Sequence, residues 1–580
     1  MNVSTQLKKA FEFLRTGNLN EAEVILKKVL SKYPRQFDSL VNCGFIQLQK
    51  KNLAEAKRYF YSALEVKYDS KIVDNLAELL RQTQSWDEII QLKDRIHSSS
   101  VVFELNYAIA LRNKNNKEKS LEIFEKLLEA NPKNLNIYIA YGFSLNYFQM
   151  YEEAISLYQR GLNLDPENYF LNYNLGIAYS NNEDQVNSIK YLQKSITKND
   201  NNFDAWITLA AQQVKLRKTN EAMESIQKCK EIDPENNLIL FQTAVVHMKN
   251  GNISDTKKYL NRYLELEPHN PDGNFHMGLC LLFEQDFKEA PVYYRYRVKT
   301  SHNRYGMFND IHLPEIKNDT KVIIGQEQGI GDQLIFLRLL PSFVNRHKNT
   351  TYITTDKLFD LLKNTFNDTT IIKESECDDL INNSQEYTKI NIGSLLHYEA
   401  NIKNSLQLAR DLVTHKYELP PALKNKNKKI GLSWSSVNKS NGKDKSLPLI
   451  DYAPILNIPN LNFISLQYGD VIQDIKDTEK NLGINLYYDK NLDYFNDISK
   501  LSALIKECDY VVTTSNVTAH LAGSLGVKTF VLVPKSHGKM WYWFSQDDKC
   551  IWYPSIQLIH QSKDGFWDKE INKIKQIIMN

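Results

Sequence analysis

The chain has few cysteines and no long apolar run. Its six cysteines lie far apart among 580 residues, and none forms a C-x-x-C pair. This argues against a disulfide framework or a zinc knuckle and predicts reduced, mostly buried thiols in a cytoplasmic protein. No run of about 18 apolar residues occurs, and the start, "MNVSTQLKKAFEFL", reads as an amphipathic helix. Neither a membrane span nor a signal peptide is therefore expected.

An excess of one charge sign is also absent. The 72 basic and 69 acidic residues give a formal charge of +3. Proteins whose main partner is nucleic acid usually show a strong basic excess, so we expect no nucleic-acid partner. A length of 580 residues exceeds one ordinary domain and predicts several.

The first half of the sequence repeats itself. Pro132 and Pro166 are 34 residues apart (166 − 132), as are Pro234 and Pro268 (268 − 234), and Asp200 holds the intermediate slot. Each proline is expected to end the second helix of a unit and turn the chain. A unit of this length resembles the tetratricopeptide repeat. We predict a solenoid of about eight or nine repeats over residues 1–300.

Small residues recur within these units. Gly142, Gly176, Ala210 and Ala244 share one slot, and Ala154, Ser188 and Ala222 share another. Small side chains there let two helices approach, while bulky ones such as Phe124, Tyr138 and Tyr158 fill the groove between units. The concave face of such a solenoid is expected to bind a partner protein. A solenoid that only spaces or oligomerises the second half is an equally open alternative.

After residue 300 the pattern changes to short buried strands with helices between them. The strands are predicted at 321–325, 351–355, 428–434, 462–467, 509–514 and 528–533. Strands that alternate with helices indicate parallel α/β units. The Pro- and Lys-rich segment "PPALKNKNKK" predicts a linker between two Rossmann-like lobes. We assign 301–425 to a linker and the N-terminal lobe, and 426–580 to the C-terminal lobe.

Three loops carry candidate ligand-binding residues. "GQEQGIGDQ" follows the first strand and contains Gly329, Gly331 and Asp332, but it fits neither a Walker A loop nor the dinucleotide fingerprint. Asp332 there suits a helix N-cap or a general base that faces a cleft. The loop after residue 434 contains Lys439, Lys443, Lys445 and Ser446, which suit phosphate neutralisation or a plain solvated loop.

The third loop is "TSNVTAHLAGSLG". Ser515 and Asn516 fall at a predicted helix N-cap, and His520 follows on the same side of the first turn. A helix N-terminus with free N–H groups is a natural seat for a pyrophosphate, and the alternative is a capped helix with a core histidine. The nearby run "MWYWF" suits either the core or stacking on a nucleobase.

Together these stretches resemble bacterial tetratricopeptide-repeat proteins whose C-terminal region looks like a family 9 glycosyltransferase, the family of the lipopolysaccharide heptosyltransferases. The resemblance rests on "EQGIGDQLIFLRLLP", "IGLSW", "FISLQYGD", "SNVTAHLAGSLGVKTFVLVP" and "WYPSIQLIHQ" and covers roughly residues 270–580. It implies a GT-B fold with a nucleotide-sugar donor on the C-terminal lobe and an acceptor on the N-terminal lobe. It also implies inversion at the sugar without a metal, with Asp332 as the catalytic base.

The resemblance implies that certain residues in the matched stretches bind the substrate or the donor. These are Gly329, Gly331, Gln333, Trp434, Ser435, Lys445, Ser446, Gln467, Ser515, Asn516, Thr518 and His520. The expected function is a cytoplasmic, inverting glycosyltransferase that needs no cofactor beyond its nucleotide-sugar co-substrate. Its repeats would recruit a protein or glycan acceptor.

Two alternatives stay open. Heptosyltransferases often carry an acidic residue where this chain has Ser515, which motivates a non-catalytic scaffold with a degenerate GT-B domain. A protein O-glycosyltransferase is the other, because that architecture also joins these repeats to a GT-B fold.

Overall fold

The structure is a computed structural model. It describes residues 3–96, 98–300, 306–327, 329–399, 401–436, 442–535, 538–543 and 548–580, without the side chains of Lys443 and Asp444. The chain divides into two compact units, Met1–Leu216 and Arg217–Asn580. Among the described helices, none is both long enough and apolar enough to cross a membrane.

The first unit consists of helices that pack in successive pairs. They are α1 (Val3–Arg15), α2 (Leu19–Lys32), α3 (Phe37–Gln49), α4 (Leu53–Val66), α5 (Ser70–Gln82), α6 (Trp86–Lys93), α7 (Val101–Asn113), α8 (Lys117–Ala130), α9 (Leu135–Tyr147), α10 (Tyr151–Leu162), α11 (Tyr169–Asn181), α12 (Gln185–Lys198) and α13 (Phe203–Lys215). The predicted small-residue slots hold pairs together. A Cβ on Gly142 would lie 2.4 Å from the Tyr158 ring. Ser188 Oγ donates to the Gly176 carbonyl at 2.7 Å.

A tight turn joins the two helices of each pair and recurs with the repeat. Asn115, Gln149 and Glu183 occupy its left-handed position, with φ of 59°, 61° and 60°. Left-handed backbone favours glycine, yet these three turns use polar residues. The turns therefore repeat in geometry at 34-residue steps (149 − 115, 183 − 149) without a repeated glycine for the sequence to reveal.

The second unit begins with helices and continues into the sheets. Its first helices are α14 (Thr219–Ile232), α15 (Leu238–Lys249), α16 (Ile253–Leu266), α17 (Pro271–Phe283) and α18 (Ala290–Tyr294), followed by a 3-10 turn, Arg295–Lys299. Tyr294 packs on Phe336 and on Trp541, with ring centroids 6.2 Å and 6.4 Å away. The last helical pairs thus share one apolar core with the α/β region of the same unit.

The first sheet has four parallel strands in the order β3-β2-β1-β4. The strands are β1 (Val322–Gly325), β2 (Thr350–Thr354), β3 (Thr370–Lys373) and β4 (Thr388–Asn391). The helices around it are α19 (Ile330–Phe336), α20 (Leu340–Arg346), α21 (Asp356–Thr365), α22 (Asp378–Asn382), α23 (Leu395–Tyr398) and α24 (Ile402–Gln407).

The second sheet has six parallel strands in the order β10-β9-β8-β5-β6-β7. The strands are β5 (Lys428–Ser433), β6 (Leu461–Ser465), β7 (Leu486–Tyr487), β8 (Tyr510–Thr514), β9 (Thr529–Val533) and β10 (Ile556–His560). Its helices are α25 (Gly442–Lys445), α26 (Ala453–Leu456), α27 (Ile472–Leu482), α28 (Ile498–Lys506), α29 (Val517–Ser524) and α30 (Asp568–Met579).

The expectation of helical repeats followed by parallel sheets is confirmed. All six predicted strands occur, with ends that differ from the predicted ones by no more than two residues. In each sheet the chain first adds strands on one side of the first strand and then adds strands on its other side. This switch in strand order lies between β1 and β4 in the first sheet and between β5 and β8 in the second. In open parallel sheets, ligands bind beyond the carboxyl ends of the strands at such a switch. Two of the three candidate loops leave β5 and β8, and the third leaves β1.

Candidate functional site

Asn516 joins the two loops that leave β5 and β8. It is the N-cap of α29, where its Oδ1 accepts the Thr518 N–H at 3.0 Å. Its Nδ2 donates to Ser433 Oγ at 2.8 Å and to the Ser435 carbonyl at 3.0 Å. Since these bonds occupy the whole amide, Asn516 positions the helix start and the loop rather than offering a free group.

Gln467 supports the same loop from the end of β6. Its Oε1 accepts from Ser433 Oγ at 3.0 Å and from the N–H groups of Trp434 and Ser435, both at 2.8 Å. Its Nε2 donates to the carbonyls of Ser435 and Tyr468. A fully buried amide with all its partners made holds the loop in one shape.

The lysine loop is described only in part. Ser446 Oγ accepts the Ser436 N–H at 2.9 Å and donates to the Gly442 carbonyl, which closes the loop on itself. Lys445 is 6% exposed. Lys439 and the Lys443 side chain lie outside the described part of the chain.

The glycine loop leads from β1 into α19. Its N-cap is Gly329, so Asp332 is the third residue of the helix and not the cap. At that position the carboxylate reaches back to the Gly329 N–H, as in a capping box. Partial burial raises the pKa of the Asp332 carboxyl to about 6, although this N–H and the Lys445 charge both favour the ionised form.

Helices that flank the two sheets meet where α19 packs on α29. A Cβ on Gly331 would lie 2.9 Å from His520 Cδ2 and 3.2 Å from its Nε2, so only glycine permits this approach. Burial lowers the pKa of Lys445 to about 8, against the opposite influence of Asp332. Burial, with a further contribution from Lys445, lowers the pKa of His520 to about 3. The site therefore combines a carboxylate, a lysine and a neutral imidazole.

Aromatic rings surround His520 on its other sides. Its ring stacks on Trp543 at 4.9 Å and 18° and meets Tyr542 edge-on at 4.9 Å. Its Nδ1 lies 3.3 Å from the Tyr553 hydroxyl. Trp543 Nε1 also donates to Ser515 Oγ at 2.8 Å. The run "MWYWF" is thus core that shapes the site as far as it is described, while Phe544 lies outside the described residues.

The remaining predicted residues lie around this centre with different exposures. Gln333 is fully buried, with Oε1 accepting from the Tyr352 hydroxyl at 3.3 Å. Trp434 is 1% exposed within the core of the second sheet. Thr518 is fully buried in the first turn of α29, and its Oγ1 has no hydrogen-bond partner among the described residues.

Sequence reasoning missed a buried polar network beneath the glycine loop. The Glu327 carboxylate accepts hydrogen bonds from Arg297 Nε at 2.9 Å, from Arg297 Nη2 at 3.1 Å and from the Gly393 N–H at 2.5 Å. Arg297 also donates to Ser394 Oγ at 2.9 Å, and Ser394 donates to Asp310 at 2.6 Å. The network fixes the ends of β1 and β4 together. Glu327 precedes Gly329 by two residues, but no local pattern identified its partners.

Comparison with known proteins supports the assignment of the repeats. The tetratricopeptide repeat family model matches residues 105–134 and 203–236. Protein FlbA of Caulobacter vibrioides is 28% identical over 148 residues, which is 25% of this chain and 24% of FlbA. Human TMTC3, a protein O-mannosyl-transferase, is 22% identical over 275 residues, which is 43% of this chain and 30% of TMTC3. This chain therefore spans less than a third of either relative.

Two solved structures show a limited likeness to parts of the chain. YrrB, described as a TPR protein with an unusual peptide-binding site, is 21% identical and covers 32% of this chain and 93% of its own, with a TM-score of 0.26. The Cut9–Hcn1 assembly of the APC/C is 15% identical and covers 49% of this chain and 56% of its own, with a TM-score of 0.36. The resemblance of the sheets to family 9 glycosyltransferases stays a prediction, and the N-terminal region contains tetratricopeptide repeats.

Proposed function

We propose that the chain is an inverting, metal-independent glycosyltransferase with a GT-B-like pair of lobes. The proposal rests on the approach of three loops to one another, which leave β1, β5 and β8 where the strand order reverses. Asp332 stands on one side, and Lys445 and the start of α29 stand on the other. A nucleotide-sugar donor would occupy the second lobe, and the acceptor would enter from the first.

The chemistry assigns each group one task. Asp332 takes the proton from an acceptor hydroxyl as its oxygen attacks the anomeric carbon, and a pKa of about 6 leaves it ionised at neutral pH. The bond between that carbon and the diphosphate oxygen breaks, and the nucleoside diphosphate leaves with its electron pair. Lys445 and the N–H groups at the start of α29 stabilise the developing negative charge.

A protein acceptor is one form of this proposal. TMTC3 carries the name protein O-mannosyl-transferase, and the tetratricopeptide repeats here suit recruitment of a polypeptide. Because the match covers 30% of TMTC3, the name alone supports no particular sugar or acceptor.

A non-catalytic scaffold is the second candidate. It is favoured by Ser515, which stands where heptosyltransferases often carry an acid and whose Oγ accepts from Trp543. In that case the aromatic cluster around His520 is core and the repeats alone carry the function.

Measurements of donor binding and turnover distinguish the glycosyltransferase from the non-catalytic scaffold. The purified chain is titrated with UDP-, GDP- and ADP-linked sugars, and release of the nucleoside diphosphate is followed. Asp332→Asn is expected to retain donor binding and to lose about two to four orders of magnitude in turnover. The exposed Asp360→Asn on α21 is the matched control and should behave as the parent. Absence of binding at millimolar donor would refute the transferase and favour the scaffold.

A further inference from the structure

Arg112 is a buried cation without a counter-charge in the first unit. It lies near the end of α7 and is 9% exposed. The rings of Phe143 and Tyr147 on α9 lie 4.8 Å and 5.6 Å from its guanidinium carbon. Its one hydrogen bond, from Nη1 to Ser144 Oγ, is long at 3.4 Å, and its Nε has no partner within the described residues.

The surrounding charges do not compensate it. Burial lowers the pKa of Arg112, the positive charge of Arg81 lowers it further, and the opposing influence comes from the hydroxyls of Tyr147 and Tyr158. No carboxylate among the described side chains forms an ion pair with Arg112, whereas Arg81 pairs with Glu78. Buried charges are otherwise paired, because an unpaired one keeps the full cost of its desolvation.

Exposed aromatic rings lie beside this cation. Phe143 and Tyr147 on α9 contact the guanidinium, yet they are 49% and 48% exposed. α7 and α9 are the first helices of two successive pairs. Large apolar side chains half open to solvent, grouped around a buried charge, are typical of a binding surface rather than of a plain solvated face.

We propose that this surface of α7 and α9 binds an extended polypeptide segment in which a glutamate lies between apolar residues. The glutamate carboxylate would supply the missing counter-charge of Arg112, and the apolar residues would cover Phe143 and Tyr147. The guanidinium is 9% exposed and lies over two rings, so a carboxylate at the end of a flexible side chain reaches it more easily than one attached to the main chain. The site goes beyond the transfer reaction, since it can be saturated without any donor.

Three labelled peptides test the proposal on the full chain. The first is a nonapeptide amide in which phenylalanine alternates with glutamate, the second has glutamine for glutamate, and the third is the glutamine peptide with a free C-terminal carboxylate. Fluorescence anisotropy should show the glutamate peptide binding about tenfold or more tightly than the glutamine amide. Arg112→Met should abolish that preference, and Phe143→Ala should weaken binding of both.

Four outcomes would overturn it. These are equal affinity for the glutamate and glutamine amides, a preference that survives Arg112→Met, no binding of the glutamate peptide at millimolar concentration, and tighter binding of the free carboxylate peptide. The last would assign the surface to chain termini instead.

A stability measurement gives a second, ligand-free test. If the charge is kept for a ligand, Arg112→Met should raise the thermal midpoint of the free protein, because it removes an unpaired buried cation. Arg81→Met is the matched control and should give no rise, since Arg81 is half exposed and already paired. A clear fall in the midpoint of Arg112→Met would show that Arg112 serves the fold, and would refute the proposal.

Discussion

Single residues in the candidate site carry pKa values that suit their proposed tasks. Burial raises the pKa of Asp332 to about 6 and lowers that of Lys445 to about 8. Between those values the carboxylate is ionised and the ammonium is protonated, which a general base and a diphosphate-binding cation require. Sequence alone placed both residues in cleft loops, but not beside each other.

The pH dependence of turnover tests this pair. We expect kcat/KM to rise as Asp332 loses its proton near pH 6 and to fall as Lys445 loses its proton near pH 8, which gives a bell-shaped profile. The two midpoints belong to the interacting pair rather than to either residue alone. Lys445→Arg should remove the alkaline fall, because arginine stays protonated. A profile that is flat from pH 5 to 9 would contradict the assignment.

At the scale of elements, the strands that sequence missed share one property. β3, β4, β7 and β10 are the outer strands of their sheets, and none was predicted. The six predicted strands are inner ones that neighbours cover, so they carry continuous apolar runs, such as "TFVLV" in β9. An outer strand such as β3 (TIIK) is only partly buried. Its apolar run is therefore too short to differ from a loop.

The packing of α19 on α29 gives the element-scale prediction. Gly331→Ala would place a methyl group 2.9 Å from His520. The helices must then separate, and we expect a loss of about 1–3 kcal/mol in the free energy of unfolding. Turnover should fall as well, because Asp332 moves with α19. Chemical denaturation and donor turnover are the measurements.

Gly329→Ala is the matched control for that change. Gly329 has an extended backbone, with φ of −82° and ψ of 167°, which alanine adopts freely. A Cβ there meets nothing closer than Asp332 Oδ2 at 3.7 Å, an ordinary contact. Stability should therefore change little. Equal losses for the two variants would show that the glycines matter for loop flexibility and not for helix contact.

At the scale of the molecule, the site brings together residues far apart in the sequence. Gly331 meets His520 across 189 positions (520 − 331), and Arg297 meets Ser394 across 97. The individual loops could be predicted from sequence motifs, because each loop has its own glycines or capping residues and follows its own strand. Nothing local records which loops will meet, since that depends on strand order in two sheets. The Arg297–Glu327 pair, which has no motif, was therefore missed altogether.

That buried pair carries the last prediction. Arg297 and Glu327 are 1% and 0% exposed at their side chains, and they connect the turn after α18 with the ends of β1 and β4. Glu327→Gln removes the carboxylate that pairs with the guanidinium and leaves Asp310 as the remaining negative charge of this network, and we expect a loss of about 3–5 kcal/mol. Glu327→Leu combined with Arg297→Met should lose less, because it removes both charges. Hydrogen exchange of the β1 and β4 amides measures the effect locally, which suits a chain with two compact units.

An exposed ion pair near the first sheet provides the control for this network. Lys321 and Glu386 keep 47% and 65% of their side chains exposed, so Glu386→Gln should change the stability little. Glu327→Gln should also lower turnover if Glu327 holds the glycine loop in place for Asp332, whereas Glu386→Gln should leave turnover unchanged. If the β1 and β4 amides are equally protected from hydrogen exchange in Glu327→Gln and Glu386→Gln, the buried network does not join these strands. The position of the loop would then depend on the packing of α19 alone.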